Sequence, residues 1–346
     1  MLMKDSFTSE HIWEIQRESH VDVSILERSI YALALLEALV KVGMPFIFKG
    51  GSSLLLLLKK TRRLSTDIDI IVDPGTDVRS YLEEATKIFP FQKMEQQQRK
   101  GKNNIEKDHF KFTYNSPVQG KPFFILLDIV YEKNHYCSLV KRKIKHGFLL
   151  TEEPYVEVTM PSINCILGDK MTAFAPHTTG ICFGIGKELE IIKQLYDIAT
   201  LIDVHDNFKD VYKSYMAIVT IEMEYKGLSI PVETVLKDTI EATICIASRG
   251  KLINGDYKYY QAGIKGISNH IYGERFNAEK AISPACKVMY MATCILKSEE
   301  FKKVTDSSLF IKANIGNSRF AKLSMIRKVD AEAYAYVVKT INLLQE

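Results

Sequence analysis

Lys49-Gly50-Gly51-Ser52-Ser53-Leu54, followed by Arg63-Leu64-Ser65-Thr66-Asp67-Ile68-Asp69-Ile70, is the stretch that decides how this chain is read. Phe46-Ile47-Phe48 is a short apolar strand candidate that runs straight into the paired glycines. Ser52 and Ser53 are both good N-caps, so a helix is expected to begin there and to bury the leucines of 54–58. The local order is strand, glycine turn, helix. After a basic polar turn at 59–63, residues 67–72 form the next strand. Strand alternation puts Asp67 and Asp69 on one side and Ile68 and Ile70 on the other.

These residue types suit one kind of chemistry. Backbone N–H groups at a glycine turn and a helix N-terminus attract anions, and the helix dipole adds to the attraction. Gly50 and Gly51 allow close backbone approach, and Ser52 and Ser53 supply hydroxyls. Two carboxylates on one strand face can reach the same hard cation, which phosphate oxygens complete. A Gly-Gly pair alone is usually a turn, and Asp-x-Asp alone is usually an exposed strand face. Together, on successive elements, they point to a phosphate–metal site.

Outward from that stretch the chain divides. Toward the N-terminus, Ser24-Ile25-Leu26-Glu27 has the form of a capping box. Behind it Leu26, Ile30, Leu33, Leu36 and Val40 make one apolar helical stripe, stopped near Gly43 and expected to pack on the sheet. Downstream, residues 78–89 read as a helix and 93–107 as a polar, mobile loop. Residues 109–114 and 123–131 read as strands joined by a hairpin-like connection, and 156–160 as a last strand. Asp128 stands inside the apolar strand 123–131. It is either a satisfied, half-buried acid or the third carboxylate of a clamp whose two metals would lie roughly 3.5–4 Å apart.

Beyond Pro161 the pattern is mostly helical, with helices expected at 188–201, after Pro231 to Arg249-Gly250, at 257–272, at 284–297 and at 324–344. The polar loop His177-Thr178-Thr179-Gly180-Ile181 interrupts them and is either a plain connection or a source of hydroxyls and amides for a substrate. An α/β domain at 1–160 is therefore expected, followed by a mainly helical domain at 161–346 that closes the cleft.

Composition sets the outer limits. Hydrophobic residues make up 46% and charged residues 25% of the 346, and the net charge is +4. That suits a globular protein with a real core, and so mild a charge does not by itself imply nucleic acid. The six cysteines have neither zinc-knuckle nor redox spacing, so free thiols in a reducing cytoplasm are expected. The leucine run at 54–58 is far short of the ~20 apolar residues a membrane span needs.

Gly50-Gly51-Ser52-x-Leu54 with Arg63-x-Ser65-x-Asp67-Ile68-Asp69 resembles the signature of the nucleotidyltransferase-like AbiEii/AbiGii toxins, MenT toxins included, within the DNA polymerase β-type nucleotidyltransferase superfamily. The family often has threonine where this chain has Ser52, and the hydroxyl is kept. Asp169-Lys170-x-x-Ala173 resembles a motif whose lysine faces the nucleotide phosphates. Lys193-Gln194-Leu195-Tyr196-Asp197 resembles one whose helical aspartate completes the site. Without the resemblance, Lys170 is as well explained as a surface lysine paired with an acid, and Lys193 with Asp197 as an intrahelical ion pair.

The resemblance implies an α+β fold with a polymerase β-type sheet core and flanking helices, then a helical C-terminal half. It implies Mg²⁺-dependent transfer of NMP from an NTP to an acceptor, with two ions expected. Asp67, Asp69, Asp128 and Asp197 would be catalytic, the first three as metal ligands. Gly50, Gly51, Ser52, Ser53, Ser65 and Lys170 would hold the nucleotide. The implied acceptor is the tRNA 3′ end, and the implied role is the toxin of a type IV toxin–antitoxin or abortive-infection system with a separately encoded antitoxin. Basic stretches at 59–63, 99–107 and 141–145 could follow an RNA backbone or could be ordinary solvated lysines. Two other readings stay open: a nucleotidyltransferase acting on a small molecule or protein, and a non-catalytic nucleotide-binding module.

Overall fold

The computed structural model describes residues 1–97, 106–253 and 255–345. It is an α+β chain that divides into two compact units, one of residues 1–162 with 269–274 and the other of 163–268 with 275–346.

The first unit opens with α1 (Ser9–Ser19) and α2 (Val23–Lys41) and continues through β1 (Ile47–Lys49), the single-turn α3 (Leu54–Leu57), β2 (Ile68–Val72), α4 (Val78–Thr86), β3 (Lys93–Gln96), β4 (Lys107–Asn115) and β5 (Pro122–Tyr131). Five strands form one sheet in the order β1-β2-β5-β4-β3. Only β2 and β5 run parallel; the other pairs are antiparallel. A separate antiparallel pair, β6 (Leu139–Lys143) and β7 (Glu157–Pro161), completes the unit.

Alternation sorts the main sheet into two faces. Ile68 and Ile70 of β2, Ile125, Leu127 and Ile129 of β5, and Phe110, Phe112 and Tyr114 of β4 are buried. Helix α2 packs on β2 and β5, and its Tyr31 stacks on Tyr114 with ring centroids 3.6 Å apart. The other face of the sheet, with Asp69, Asp128, His109 and Phe124, is only partly covered.

Several local readings change. The capping box at Ser24–Glu27 does not form. Asp22 caps α2 instead, accepting from the amides of Ser24 and Ile25 at 2.9 and 3.1 Å. Glu27 turns inward, buried, and accepts from the Ser116 hydroxyl at 2.9 Å. Burial raises its carboxyl pKa above the ordinary value. The span read as a mobile loop at 93–107 contributes strand at both ends, where cross-strand pairing of β3 with β4 outweighs the polar composition. Its centre, 98–105, lies outside the described residues.

The second unit is helical: α5 (Ile163–Ala173), α6 (Glu188–Val204), α7 (Phe208–Tyr225), α8 (Val232–Ala247), α9 (Tyr257–Ile267), α10 (Ile282–Lys297) and α11 (Ala331–Leu344). Helix α10 packs against α6, α8 and α11, and α5 against α6 and α7. The helix read across 324–344 is two pieces, a 3-10 turn over Ala321–Lys328 and then α11, which Asp330 caps through the Ala333 amide at 2.8 Å. Among the described residues no helix is long and apolar enough to cross a membrane.

Candidate active site

The glycine turn is built against the acids. Gly50 takes φ +78°, a left-handed conformation that glycine adopts without strain. A Cβ on Gly50 would stand 2.0 Å from Asp69 Oδ2, so the missing side chain is what lets the turn lie on that carboxylate. A Cβ on Gly51 would stand 2.6 Å from the Arg63 guanidinium and 3.1 Å from the Ser65 hydroxyl. Arg63 and Ser65 therefore flank the turn, and Arg63 is buried there.

Ser52 and Ser53 are fully buried. The Ser52 hydroxyl donates to the Asp67 carbonyl, and the Ser53 hydroxyl donates to the Gly50 carbonyl at 2.7 Å. A hydroxyl has one proton to donate, so both are committed to fixing the turn and joining it to the start of β2. Helix α3 is only one turn long, which leaves little of the aligned dipole the sequence suggested.

The carboxylates meet through sheet register. Asp69 pairs with Asp128 across the parallel β2–β5 ladder, and Asp128 with His109 across the antiparallel β5–β4 ladder. Directly paired residues share a sheet face, so Asp69, Asp128 and His109 form one row across three strands. Asp128 Oδ1 lies 2.6 Å from His109 Nδ1, and since a carboxylate only accepts, the ring N–H donates. Asp67 stands two residues before Asp69, with its side chain 44% exposed and Arg28 of α2 at 3.3 Å. His109 and Arg28 escaped the sequence reading. The pairing of His109 with Asp128 follows from the register that Asn115 and Pro122 set at the connection between β4 and β5.

The donors are hard oxygens of the kind Mg²⁺ takes. Among the described residues no group of three or more His, Cys, Asp and Glu side chains converges as a ready-made metal cage. Mg²⁺ sites that act on nucleotides usually need only one or two carboxylates, with water and substrate phosphates completing the octahedron. The Asp67–Asp69 pair fits that requirement.

In the second unit, Lys170 of α5 and Asp197 of α6 form an ion pair at 2.8 Å, with both side chains buried. Gln194 Oε1 accepts a further bond from Lys170 Nζ at 3.2 Å. Lys193, the cation of the motif that ends at Asp197, lies 3.9 Å from Glu190. The loop at 177–181 is tied inward: Asp238 accepts from the His177 amide at 2.9 Å and the Thr178 hydroxyl at 2.8 Å. The Thr179 hydroxyl donates to the Thr172 carbonyl at 2.7 Å, and Lys226 donates to the Thr178 and Gly180 carbonyls. These bonds account for both threonine hydroxyl protons and favour the plain structural reading of the loop.

Comparison with known proteins gives one family match. The family of the nucleotidyl transferase AbiEii toxin, type IV TA system, matches residues 34–244, more than half of the chain. No match is found among curated proteins. Among solved structures, JHP933 from Helicobacter pylori aligns at 13% identity with a TM-score of 0.44, over 79% of this chain and 93% of that one. A second H. pylori structure, provisionally described as a nucleotidyltransferase, aligns at 13% identity and a TM-score of 0.44, over 79% of this chain and 96% of that one.

Proposed function

The chain belongs to the AbiEii nucleotidyltransferase toxin family of type IV toxin–antitoxin systems, and from that premise we propose that it transfers NMP from an NTP to the 3′ end of tRNA. In that reaction an acceptor hydroxyl oxygen bonds to the α-phosphorus, the α–β phosphoanhydride bond breaks, pyrophosphate leaves and the hydroxyl loses its proton. The observation that carries the reading is the Gly50 turn seated on Asp69, with Asp128 next to Asp69 in register.

Each residue has a part in the proposal. The Gly50-Gly51 turn brings backbone to the triphosphate, with the Ser52 and Ser53 hydroxyls holding its shape and Arg63 and Ser65 beside it. Asp67 and Asp69 hold Mg²⁺, with Asp128 as the third carboxylate. When bound, the metal would offset charge on the phosphates and on the departing pyrophosphate. Lys170 is assigned to the nucleotide phosphates, with Asp197 fixing its ammonium. The separately encoded antitoxin of a type IV system is proposed as the neutralising partner. A reducing cytoplasm is the proposed setting.

Incubation with each α-labelled NTP, Mg²⁺ and total RNA tests this. Label is expected in the tRNA band with at least one NTP. Label found only in protein or small molecules would replace the acceptor and leave the enzyme class standing.

A further inference from the structure

Two basic stretches eighty residues apart meet on one surface of the first unit. Lys59, Lys60 and Arg62, in the turn after α3, are exposed. So are Lys141 and Lys143, on one face of β6, and Lys145 just beyond it. The Thr61 hydroxyl lies 2.8 Å from His146 Nε2, and α3 packs on β6. His146 Nδ1 accepts from the Phe148 amide at 3.4 Å, so Nε2 carries the proton and donates to Thr61.

The cations converge. The Lys143 and Lys145 ammoniums lie 4.9 and 5.0 Å from the centroid of one ring, that of Tyr155, and Lys145 also reaches the Tyr155 hydroxyl at 3.4 Å. Two like charges held on one ring repel, and an anion between or beside them relieves the repulsion. Lys141 and Lys143 are two residues apart on a strand, about 6.8 Å, of the order of the phosphate repeat along an extended nucleic acid. Among the described residues, the one acid paired in register with β6 is Glu157, opposite Lys143.

We propose that this surface, from the 59–62 turn across β6 to Lys145, binds the phosphate backbone of an RNA. An acidic protein offers the same sign of charge. Protein interfaces, however, are built on apolar and aromatic cores and are depleted in lysine, whereas polyanion binding needs only a run of accessible cations. The proposal rests on the reading of the acceptor as RNA and adds the surface that holds it.

The test is binding of a labelled oligouridylate to the full chain, without NTP, across a salt series. Three variant sets are compared with wild type: Lys59→Gln/Lys60→Gln/Arg62→Gln, Lys141→Gln/Lys143→Gln/Lys145→Gln, and Thr61→Val. Lys237→Gln/Lys265→Gln, at exposed positions of the second unit, is the charge control. Each triple set is expected to weaken binding roughly tenfold at low salt and to flatten the log–log salt slope by about 2, close to 0.7 for each phosphate no longer neutralised. Thr61→Val is expected to weaken binding with no change of charge, and the control to bind like wild type. Wild-type slopes in either triple set overturn the proposal, as do equal losses in the control or failure of wild type to bind. A face used only by an acidic protein gives the first of these results. Binding of a fluorescent NTP analogue is followed on the same variants. Its retention separates a failed RNA surface from a failed transferase reading.

Discussion

Lys170 and Asp197 show why a site residue can be hard to test. Their side chains are buried and 2.8 Å apart, so removing one leaves the other as an uncompensated charge. Asp197→Ala is expected to cost about 3–5 kcal/mol by denaturant unfolding. Lost activity in that variant would therefore say little about chemistry. Replacing both, as Lys170→Met/Asp197→Leu, should recover most of the stability, since an apolar pair of similar volume often does as well as a buried ion pair. Transfer should remain absent; a stable double variant with wild-type transfer would remove both residues from the reaction. His146 makes a second case. Burial lowers its imidazole pKa from 6.5 to about 4, so the folded protein keeps the ring neutral where the unfolded chain would protonate it. The sign follows: this contribution is intact above the unfolded pKa and is lost as pH falls from about 6.5 to about 4, on the order of 3 kcal/mol in all. His146→Gln should flatten that part of the stability–pH curve, and an unchanged curve would contradict the assignment.

At the scale of elements, the glycine turn and β2 were legible because their residues leave few choices. Paired glycines after an apolar run usually turn, and an alternating Asp-Ile-Asp-Ile run with β-branched residues favours a strand. Gly50→Ala tests the turn as a unit. The left-handed φ would cost roughly 1–2 kcal/mol, and the new methyl would displace the Asp69 carboxylate that lies 2.0 Å from its position. Transfer should fall by orders of magnitude, well beyond what the lost stability explains; an active Gly50→Ala protein would detach the turn from the acids. Other elements were not legible. The Ser24–Glu27 pattern satisfied the capping rule, but Asp22 lies two residues upstream of Ser24 and Glu27 is needed by Ser116 across the core. The pairing of His109 with Asp128 depends on register, which lies in the loop that joins two strands and not in either strand's own pattern. Whether Ser52 and Ser53 face a ligand or the turn itself is likewise decided by burial, which their sequence neighbours do not reveal.

For the whole molecule, the α+β class was readable from the switch between alternating and helical periodicity, and the family match covers the residues that carry the motifs, 34–244. The C-terminal remainder has helical pattern but no motif that the proposed function uses. The central claim is that Asp67 and Asp69 carry nucleotidyl transfer. Transfer of label from an α-labelled NTP to RNA, followed for wild type, Asp67→Ala and Asp69→Ala at matched folded concentration, tests it most directly. Asp67 is half exposed and Asp69 lies on the partly covered face of the sheet, so both variants should fold and melt near wild type. The account predicts transfer by wild type and none above background by either variant. Wild-type transfer by a folded Asp67→Ala or Asp69→Ala protein would contradict it.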